Sequence, residues 1–496
     1  MNTWIPKQVK KVALIWPGGF DKSYVLPLSL GYLKANLSSD YEVKIIDLAL
    51  TEISHTSEEF RNILSEFNPD IVGVSTWAPT YLETLAIFQT AKIVNPNIVT
   101  VIGGAHATSY PDKIMLNHEI DFLFLGEAEL SFPVFLKELT KAEPNWKSVR
   151  GLCYRDDKGV LLKNEMDQRP EVMDDIRFPD YDAINLEGYL SGGYRFLDTL
   201  HKRNAPIWLT RGCPYRCGFC SAPLQNGKRV RTHSIDYVLK WIKYLYFEKG
   251  IRVINIVDDN FTFHVDYAKE FCEAMIQLNL KDLNFGTPNG IRSERTDFAL
   301  LKLMRQAGWR YLTVAPESGS PRTLKRMQKD LDLNAMKNKI REIRRADIKV
   351  HAFFIIGYPD ETPEDLQLTE EFIRDSEFDM FFISNFQPLP GTPIYDELVA
   401  KGEIQDGLLP KNYSEGERVY VPATLKDFNF SKYVLRNYLN WIRRDPRHAF
   451  YMVNLIGMDR FRRKCLGQLR GLFHKPNDRT PRISPEDIGV WIHQQV

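Results

Sequence analysis

The sequence is short of cysteine, of net charge and of long apolar stretches, and each shortage excludes a class of protein. Six cysteines in 496 residues are too few for the disulfide framework of a small secreted protein. A formal net charge of +1 creates no overall field that would favour a nucleic acid as partner. No apolar run approaches the roughly 18 residues of a membrane-spanning helix, and the polar N-terminus shows no signal peptide. These absences predict a soluble, cytoplasmic protein.

Residues 1–140 alternate short apolar runs with segments of helical spacing. The runs begin at Val12, Val43, Ile71, Val99 and Asp121. Buried strands that alternate with helices predict a Rossmann-like, doubly wound parallel sheet, which binds ligands at the carboxyl ends of its strands. Small or polar residues gather at those ends: Ser75-Thr76-Trp77, Gly103-Gly104-Ala105-His106 and Gly126-Glu127.

A connector, residues 141–205, contains a predicted hairpin and precedes a second alternating region. From residue 206 to about 398, six apolar runs are each followed by a polar loop and a helical pattern, and they begin at Ile207, Val253, Leu283, Tyr311, Val350 and Met380. Six such units predict a partial (β/α)6 TIM-like barrel that is open on one side and has its chemistry at the strand carboxyl ends. Residues 399–496 are predicted to form a helical C-terminal region, so the fold class is α/β with a helical end.

Three cysteines, Cys213, Cys217 and Cys220, lie within eight residues with the spacing C-x3-C-x2-C. Thiolates are soft ligands that suit iron–sulfur clusters and zinc. A closed zinc site needs a fourth ligand, and the remaining cysteines, Cys153, Cys272 and Cys465, are too scattered to supply one. Three thiolates on a four-iron cluster leave one iron open to a substrate or cofactor. A chance triplet, or a zinc site completed by a histidine, is the alternative.

This cysteine motif, with the aromatic Phe219 before its last cysteine, resembles that of the radical S-adenosylmethionine (SAM) family. The resemblance extends to Glu317-Ser318-Gly319-Ser320 after the fourth barrel strand and to Gly357-Tyr358-Pro359-Asp360-Glu361-Thr362 after the fifth, where Asp360 replaces a usual glycine. It implies a [4Fe-4S] cluster whose open iron binds SAM and whose electron cleaves SAM to a 5′-deoxyadenosyl radical. It also implies SAM contacts from Phe219, Asp258, Asp259, Asn260, Arg292, Glu317, Ser318, Gly357, Tyr358 and Pro359. Ordinary helix capping by Asp, Asn and Glu is the alternative for these loops.

The N-terminal region resembles the cobalamin-binding domain that precedes the barrel in one large radical SAM subfamily. The matching segments are residues 27–33, 72–75, 103–106 and 126–129. The resemblance implies cobalamin contacts from Ser75, Thr76, Trp77, Gly103, Gly104, His106, Gly126 and Glu127. The cobalamin signature D-x-H-x-x-G is absent, so no histidine is predicted below cobalt. An empty docking domain, with His106 as an ordinary loop histidine, is the alternative.

Together the two resemblances imply a cobalamin-dependent radical SAM methyltransferase, which would move a methyl group from SAM through methylcobalamin to an unactivated carbon. An oxidative cyclase or rearrangement enzyme, similar to the anaerobic porphyrin ring cyclase, would use the same domains. A non-catalytic sensor of cobalamin or SAM is a third possibility, which the complete cysteine motif disfavours. The implied partners are a small or lipid-like substrate and an electron donor such as flavodoxin or ferredoxin, with no nucleic acid. No catalytic residue is predicted.

The C-terminal region is rich in cations interleaved with aromatic residues. The cations are Arg443, Arg444, Arg447, Arg460, Arg462, Arg463, Lys464 and Arg470, and the aromatic residues are Trp441, Phe450, Tyr451 and Phe461. At helical spacing they predict either a basic amphipathic face for peripheral membrane contact or a helical cap with solvated or paired arginines.

Overall fold

The computed structural model describes residues 9–19, 25–166, 172–194, 202–409 and 418–456. Its first sheet has seven strands in the order β2-β1-β3-β4-β5-β6-β7, and the first five are parallel. The strands are β1 (Lys11–Trp16), β2 (Glu42–Asp47), β3 (Ile71–Ser75), β4 (Val99–Gly103), β5 (Phe122–Phe124), β6 (Leu152–Arg155) and β7 (Leu161–Lys163). The predicted N-terminal parallel sheet is confirmed.

Helices cover both faces of this sheet, because separate apolar clusters lie on its two sides. They are α1 (Leu28–Asn36), α2 (Leu48–Thr51), α3 (Glu58–Phe67), α4 (Tyr81–Val94), α5 (Ala105–Ser109), α6 (Pro111–Ile114) and α7 (Ser131–Leu139). The predicted hairpin forms β6 and β7, and β6 pairs antiparallel with β5 through Leu123 and Cys153. Part of the connector therefore belongs to the first sheet, with Cys153 buried in its core.

The second sheet has six parallel strands in the order β15-β14-β13-β12-β11-β8. They are β8 (Asn204–Ile207), β11 (Val253–Ile256), β12 (Asn284–Ile291), β13 (Trp309–Glu317), β14 (Lys349–Ile356) and β15 (Met380–Asn385). Strands β8 and β15 form its two edges, as the prediction of a six-stranded partial barrel requires. A short ribbon of β9 (Thr210–Arg211) and β10 (Arg231–Thr232) flanks the cysteine loop.

The helices of this region surround the second sheet. They are α8 (Leu186–Ser191), α9 (Ala222–Asn226), α10 (Ile235–Lys243), α11 (Val265–Leu278), α12 (Phe298–Ala307), α13 (Pro321–Arg326), α14 (Leu333–Arg345), α15 (Pro363–Asp375) and α16 (Pro393–Ala400). Most contribute to one large apolar core, and α13 and α16 contribute to a smaller one. A contact between α9 and α5 ties this region to the first sheet, because the Gln225 side-chain amide donates to the Ala105 carbonyl (2.7 Å) and to Ser109 Oγ (3.1 Å).

Two C-terminal helices, α17 (Phe430–Arg444) and α18 (Arg447–Ile456), cap the barrel. Trp441 is buried and donates to the Phe378 carbonyl (3.2 Å), and the Tyr451 hydroxyl lies 2.7 Å from His351 Nε2. Arg444 donates to two backbone carbonyls and Arg447 pairs with Asp445. Phe461 and the predicted cations from Arg460 onward lie outside the described residues. Within the described ranges, no helix is both long and apolar enough to cross a membrane.

Candidate active site between the two sheets

The cysteine loop leaves β9 and is fixed at both ends by backbone hydrogen bonds. The Cys213 amide donates to the Gly227 carbonyl (3.0 Å), and the Gly218 amide donates to the Met327 carbonyl (2.9 Å). Cys213, Cys217 and Cys220 are free and half-buried. In the described part of the chain, no three His, Cys, Asp or Glu side chains are grouped around one metal ion. The ligands of a four-iron cluster do not have to converge on one point, because each thiolate binds a different iron.

Burial sets the protonation of the cysteine thiols. It raises the pKa of Cys220 to about 12 and raises the pKa of Cys213, and neighbouring cysteine thiolates raise both further. Metal ligands must be deprotonated, so binding iron at this loop would release protons and would be favoured by rising pH.

The two neighbouring aspartates after β11 have different surroundings. The Asp258 carboxylate accepts hydrogen bonds from the Leu209 and Thr210 amides (2.7 and 2.9 Å) and from the Thr210 hydroxyl (2.8 Å). It is buried, and burial raises its pKa to about 8. The Asp259 carboxylate accepts from the Gly212 amide (3.2 Å) and the Asn226 amide group (2.8 Å) and lines a cavity. Asp258 therefore supports the strand that leads to the cysteines, while Asp259 is open to a ligand.

The other residues predicted to contact SAM also lie at the carboxyl ends of barrel strands or in the cysteine loop. Asn260 Oδ1 accepts from the Arg292 amide (3.2 Å), and the Arg292 guanidinium stacks 4.0 Å from the Tyr215 ring centre. The Phe219 and Tyr358 rings meet edge to face at 6.2 Å. The structure thus brings the cysteine loop close to the ends of β11, β12 and β14, with Pro359 directly after Tyr358.

Two of these predicted SAM contacts already have internal partners. Glu317 forms a buried ion pair with Lys329 (3.0 Å), and Ser318 Oγ lies 3.1 Å from the Thr369 hydroxyl. In the next loop, the Gly357 amide donates to Glu361 (2.6 Å), whose pKa burial raises to about 8. These contacts hold the loops in shape, so Glu317 and Ser318 could meet SAM only through their remaining hydrogen-bonding capacity or their backbone.

A cavity of about 660 Å³ lies between the first sheet and the cysteine loop. Its walls are mostly apolar, which excludes water from a bound ligand. Two groups of the predicted residues line the cavity. Phe219 and Cys220 come from the cysteine loop, and the predicted cobalamin residues among the lining are Ser75, Trp77, Gly103, Gly104, Gly126 and Glu127. One cavity therefore joins both predicted sites.

Thr76 and His106, which were also predicted to contact cobalamin, do not line this cavity. The Thr76 hydroxyl accepts from Thr84 (3.0 Å) within a buried threonine cluster. His106 is only 3% exposed and packs 5.0 Å from the Tyr81 ring, and burial lowers its pKa to about 4. Both side chains face the protein core behind the glycine turn, so neither is among the side chains that line the cavity.

A buried charge network beside the cavity was not predicted. Arg211 is only 1% exposed and lies 2.7 Å from Glu129 and 3.3 Å from Glu127, while Arg231 also pairs with Glu127. The Arg211 guanidinium is held between the rings of Tyr32 (4.8 Å) and Trp208 (4.7 Å). A sequence signal for this network does exist: Glu127, Glu129 and Arg211 closely follow apolar strands. Charges at such positions are buried and therefore require partners.

Glycine at position 103 leaves open space where a side chain would enter the cavity. A Cβ atom added there would meet only Phe124 Cβ, at 3.9 Å. At Gly104 the φ angle is +93°, which favours glycine, and an added Cβ would clash with the Thr76 carbonyl at 2.7 Å. A turn that keeps its backbone bare against an apolar cavity fits a large, flat ligand such as a corrin ring.

Two known protein-family models match separate parts of the chain. The radical SAM superfamily model matches residues 207–373. The B12 binding domain model matches residues 21–136. The B12 binding match contains strands β2 to β5 of the first sheet, and the radical SAM match contains strands β11 to β14 of the second. Residues that line the cavity lie in both matched ranges.

Characterised and uncharacterised relatives span most of the chain. An uncharacterized methyltransferase of Pyrococcus horikoshii is 28% identical over 424 residues, which cover 84% of this chain and 88% of the relative. Cytidylyl-2-hydroxyethylphosphonate methyltransferase of Streptomyces wedmorensis is 29% identical and covers 79% and 81%. The anaerobic magnesium-protoporphyrin IX monomethyl ester cyclase of Rubrivivax gelatinosus is 29% identical and covers 78% and 68%.

Solved structures share the fold. The radical SAM methyltransferase TsrM of Kitasatospora setae, with tryptophan and a SAM analogue bound, matches with a TM-score of 0.66 at 18% identity and covers 79% of this chain and 76% of that chain. The cobalamin-dependent radical SAM enzyme OxsB, with aqua-cobalamin and SAM bound, matches with a TM-score of 0.68 at 16% identity and covers 98% and 79%. The chain belongs to the radical SAM enzymes that carry a B12-binding domain.

Proposed function

We propose that this protein is a cobalamin-dependent radical SAM methyltransferase that moves a methyl group from SAM to an unactivated carbon of a small-molecule substrate. The observation that carries the proposal is the single cavity bounded by the bare Gly103–Gly104 turn on one side and by Phe219 and Cys220 on the other. Methyl transfer by two cofactors requires both to face one substrate, and this cavity offers that geometry. Relatives named methyltransferase that span most of the chain support the same reading.

Each cofactor has a set of residues that would hold it. Cys213, Cys217 and Cys220 would hold the [4Fe-4S] cluster, and the cobalamin would lie against the residues of the first sheet that line the cavity. When bound, the cluster with SAM supplies the radical and cobalamin supplies the methyl carrier, which is chemistry that no side chain provides. The protein contributes orientation and a water-poor space.

Among the candidates for SAM, we assign the ammonium contact to Asp259. Its carboxylate lines the cavity beside the cysteine loop, while Asp258 is occupied by three hydrogen bonds from the preceding strand. A carboxylate accepts strong charge-assisted hydrogen bonds from an ammonium group. Burial raises the pKa of Asp259. A bound ammonium group would lower that pKa again and so keep the carboxylate charged.

A cyclase is the second candidate, because a relative of that name is 29% identical over 395 residues. Anaerobic reconstitution with methyl-deuterated SAM, followed by mass analysis of candidate substrates, separates the two. A product that gains the labelled methyl group supports the methyltransferase. A product that changes by oxidation alone, without label, contradicts it and supports the cyclase.

The electron donor and the location belong to the same proposal. The cluster would need one electron from a carrier protein such as flavodoxin or ferredoxin, since no described side chain is a reductant at the required potential. We propose a cytoplasmic location, because the cysteines at the site are free and the cytoplasm keeps thiols reduced.

Filling the glycine turn is expected to weaken cobalamin binding. In Gly103→Leu the side chain would enter the cavity, and overpacking a filled site costs about 1–3 kcal/mol. Since 1.4 kcal/mol is tenfold in affinity, we expect the dissociation constant of aquacobalamin to rise about 5- to 150-fold in absorbance titrations. Gly103→Ala is the matched control, because its Cβ has room. Unchanged affinity in the leucine variant would mean that cobalamin does not lie against this turn.

His106 is not expected to ligate cobalt, because it lies in the core behind the turn. The Co(II) form should show no nitrogen hyperfine coupling from a protein imidazole in paramagnetic resonance, and His106→Ala should leave the spectrum unchanged. The variant should instead melt at a lower temperature, since it leaves a buried cavity. Nitrogen splitting that disappears in His106→Ala would refute the expectation.

A further inference from the structure

Exposed cations lie around the part of the cysteine loop that does not line the cavity. The cavity wall includes Phe219 and Cys220. Arg216, between Cys213 and Cys217, is instead exposed to solvent. The loop therefore has an inner side, toward the cavity, and an outer side that carries a positive charge.

Three further exposed cations adjoin the cysteine loop. Lys228 and Arg229 follow Gly227, whose carbonyl accepts from the Cys213 amide at 3.0 Å. Arg295 donates through Nε to the Tyr215 hydroxyl (3.3 Å), which places it against the loop as well. We call Arg216, Lys228, Arg229 and Arg295 the cationic rim.

The positive charge of the cationic rim is local and incompletely paired. The whole chain carries a net charge of only +1, so the rim does not simply follow from a basic composition. In the described ranges, Arg216 and Lys228 form no hydrogen bond or ion pair through their side chains, and the neighbouring exposed carboxylate of Glu294 is directed to Arg292 (3.5 Å). Unpaired surface cations add little to stability, but grouped cations attract an acidic partner and speed its encounter.

We propose that the cationic rim is the docking surface for an acidic one-electron carrier protein of the flavodoxin type. This inference rests on the proposed function, because only a redox cluster at the cysteines needs such a partner. In the transfer, an anionic flavin hydroquinone loses one electron and becomes the neutral semiquinone, and the oxidised cluster gains that electron. The rim holds the carrier against the half-buried outer side of the cysteine loop, opposite the space needed by SAM and substrate.

The test measures cluster reduction in the anaerobically reconstituted full chain by stopped-flow absorbance, with a reduced acidic flavodoxin as donor. Reversing two charges in Arg216→Glu/Lys228→Glu should lower the second-order rate constant at least about tenfold at low ionic strength. The difference should shrink at high salt, because exposed charges are screened beyond roughly 10 Å at 0.1 M. Reduction by the methyl viologen radical cation, a small donor that needs no docking surface, should not slow.

A matched control reverses two cations far from the rim. Lys240 and Lys243 are exposed in the last turn of α10, which runs back from the strand carboxyl ends to the opposite end of the barrel. Lys240→Glu/Lys243→Glu should leave the flavodoxin rate unchanged. Should Arg216→Glu/Lys228→Glu bind less iron, Arg216→Gln/Lys228→Gln carries the same prediction with a smaller loss.

An unchanged flavodoxin rate and salt dependence in the rim variants, with full cluster content, would overturn the docking surface. The proposed function fails separately. In that case the unaltered protein, reduced by methyl viologen, would not cleave SAM at all.

Discussion

Replacing Cys213, Cys217 and Cys220 by alanine is expected to remove all cluster iron and to reduce SAM cleavage to the background without enzyme. Each thiolate would hold a different iron, and the described residues offer no nearby cysteine as a substitute, because Cys153 and Cys272 are buried in β6 and α11. The measurements are iron and sulfide content, the cluster absorbance, and 5′-deoxyadenosine formation under anaerobic conditions with a chemical reductant.

The fold should survive this triple substitution. Backbone hydrogen bonds at Cys213 and Gly218 anchor the loop without the thiols, and the three side chains are only half-buried. Circular dichroism should therefore be unchanged at room temperature. The matched controls, Cys153→Ala and Cys272→Ala, should keep full iron content while they melt earlier, because each leaves a small cavity in a core. SAM cleavage by the triple variant, or iron loss in either control, would show that the assignment of the cluster ligands is wrong.

The sequence predicted the elements of this fold well because most of them are locally encoded. Apolar runs bounded by Gly, Pro or polar residues marked five strands of the first sheet and six of the second. The segment of helical spacing between the runs at Ile71 and Val99 forms α4, Tyr81–Val94. Its apolar face and its flanks are properties of neighbouring residues, so no knowledge of distant contacts was needed.

Pairings between distant segments were beyond the same reasoning. A hairpin in the connector was predicted, but its attachment to β5 was not, because strand pairing depends on which edge is free in three dimensions. Asp258 and Asp259 have the same side chain. Only the fold shows that the Asp258 carboxylate accepts hydrogen bonds from Leu209 and Thr210, while the Asp259 carboxylate faces the cavity. Likewise, no local pattern joins Arg211 to Glu129 across the two sheets.

That buried pair is expected to control both stability and the coupling of the two cofactors. In Arg211→Met, Glu129 would lose its 2.7 Å partner and Glu127 one of two, at positions with almost no solvent contact. Breaking one side of a buried ion pair typically costs about 3–5 kcal/mol. We expect a loss of that size in the free energy of unfolding measured in denaturant. The exposed pair of Arg305 and Asp347 is the control, and Arg305→Met should cost less than about 1 kcal/mol.

A double substitution separates two effects of losing Arg211: an unpaired buried charge, and the loss of the link between the two cofactor sites. Arg211→Met/Glu129→Leu removes both partners, so part of the lost stability should return, because an apolar pair of similar volume often replaces a buried ion pair without great cost. The coupling should not return. Arg211 directly precedes the cysteine loop, and Glu129 follows β5 of the first sheet. Their ion pair therefore fixes the distance between the two cofactor sites. The ratio of 5′-deoxyadenosine to methylated product should therefore rise in both variants at saturating SAM. A ratio equal to that of the unaltered protein in the restabilised double variant would reduce Arg211 to a purely structural residue.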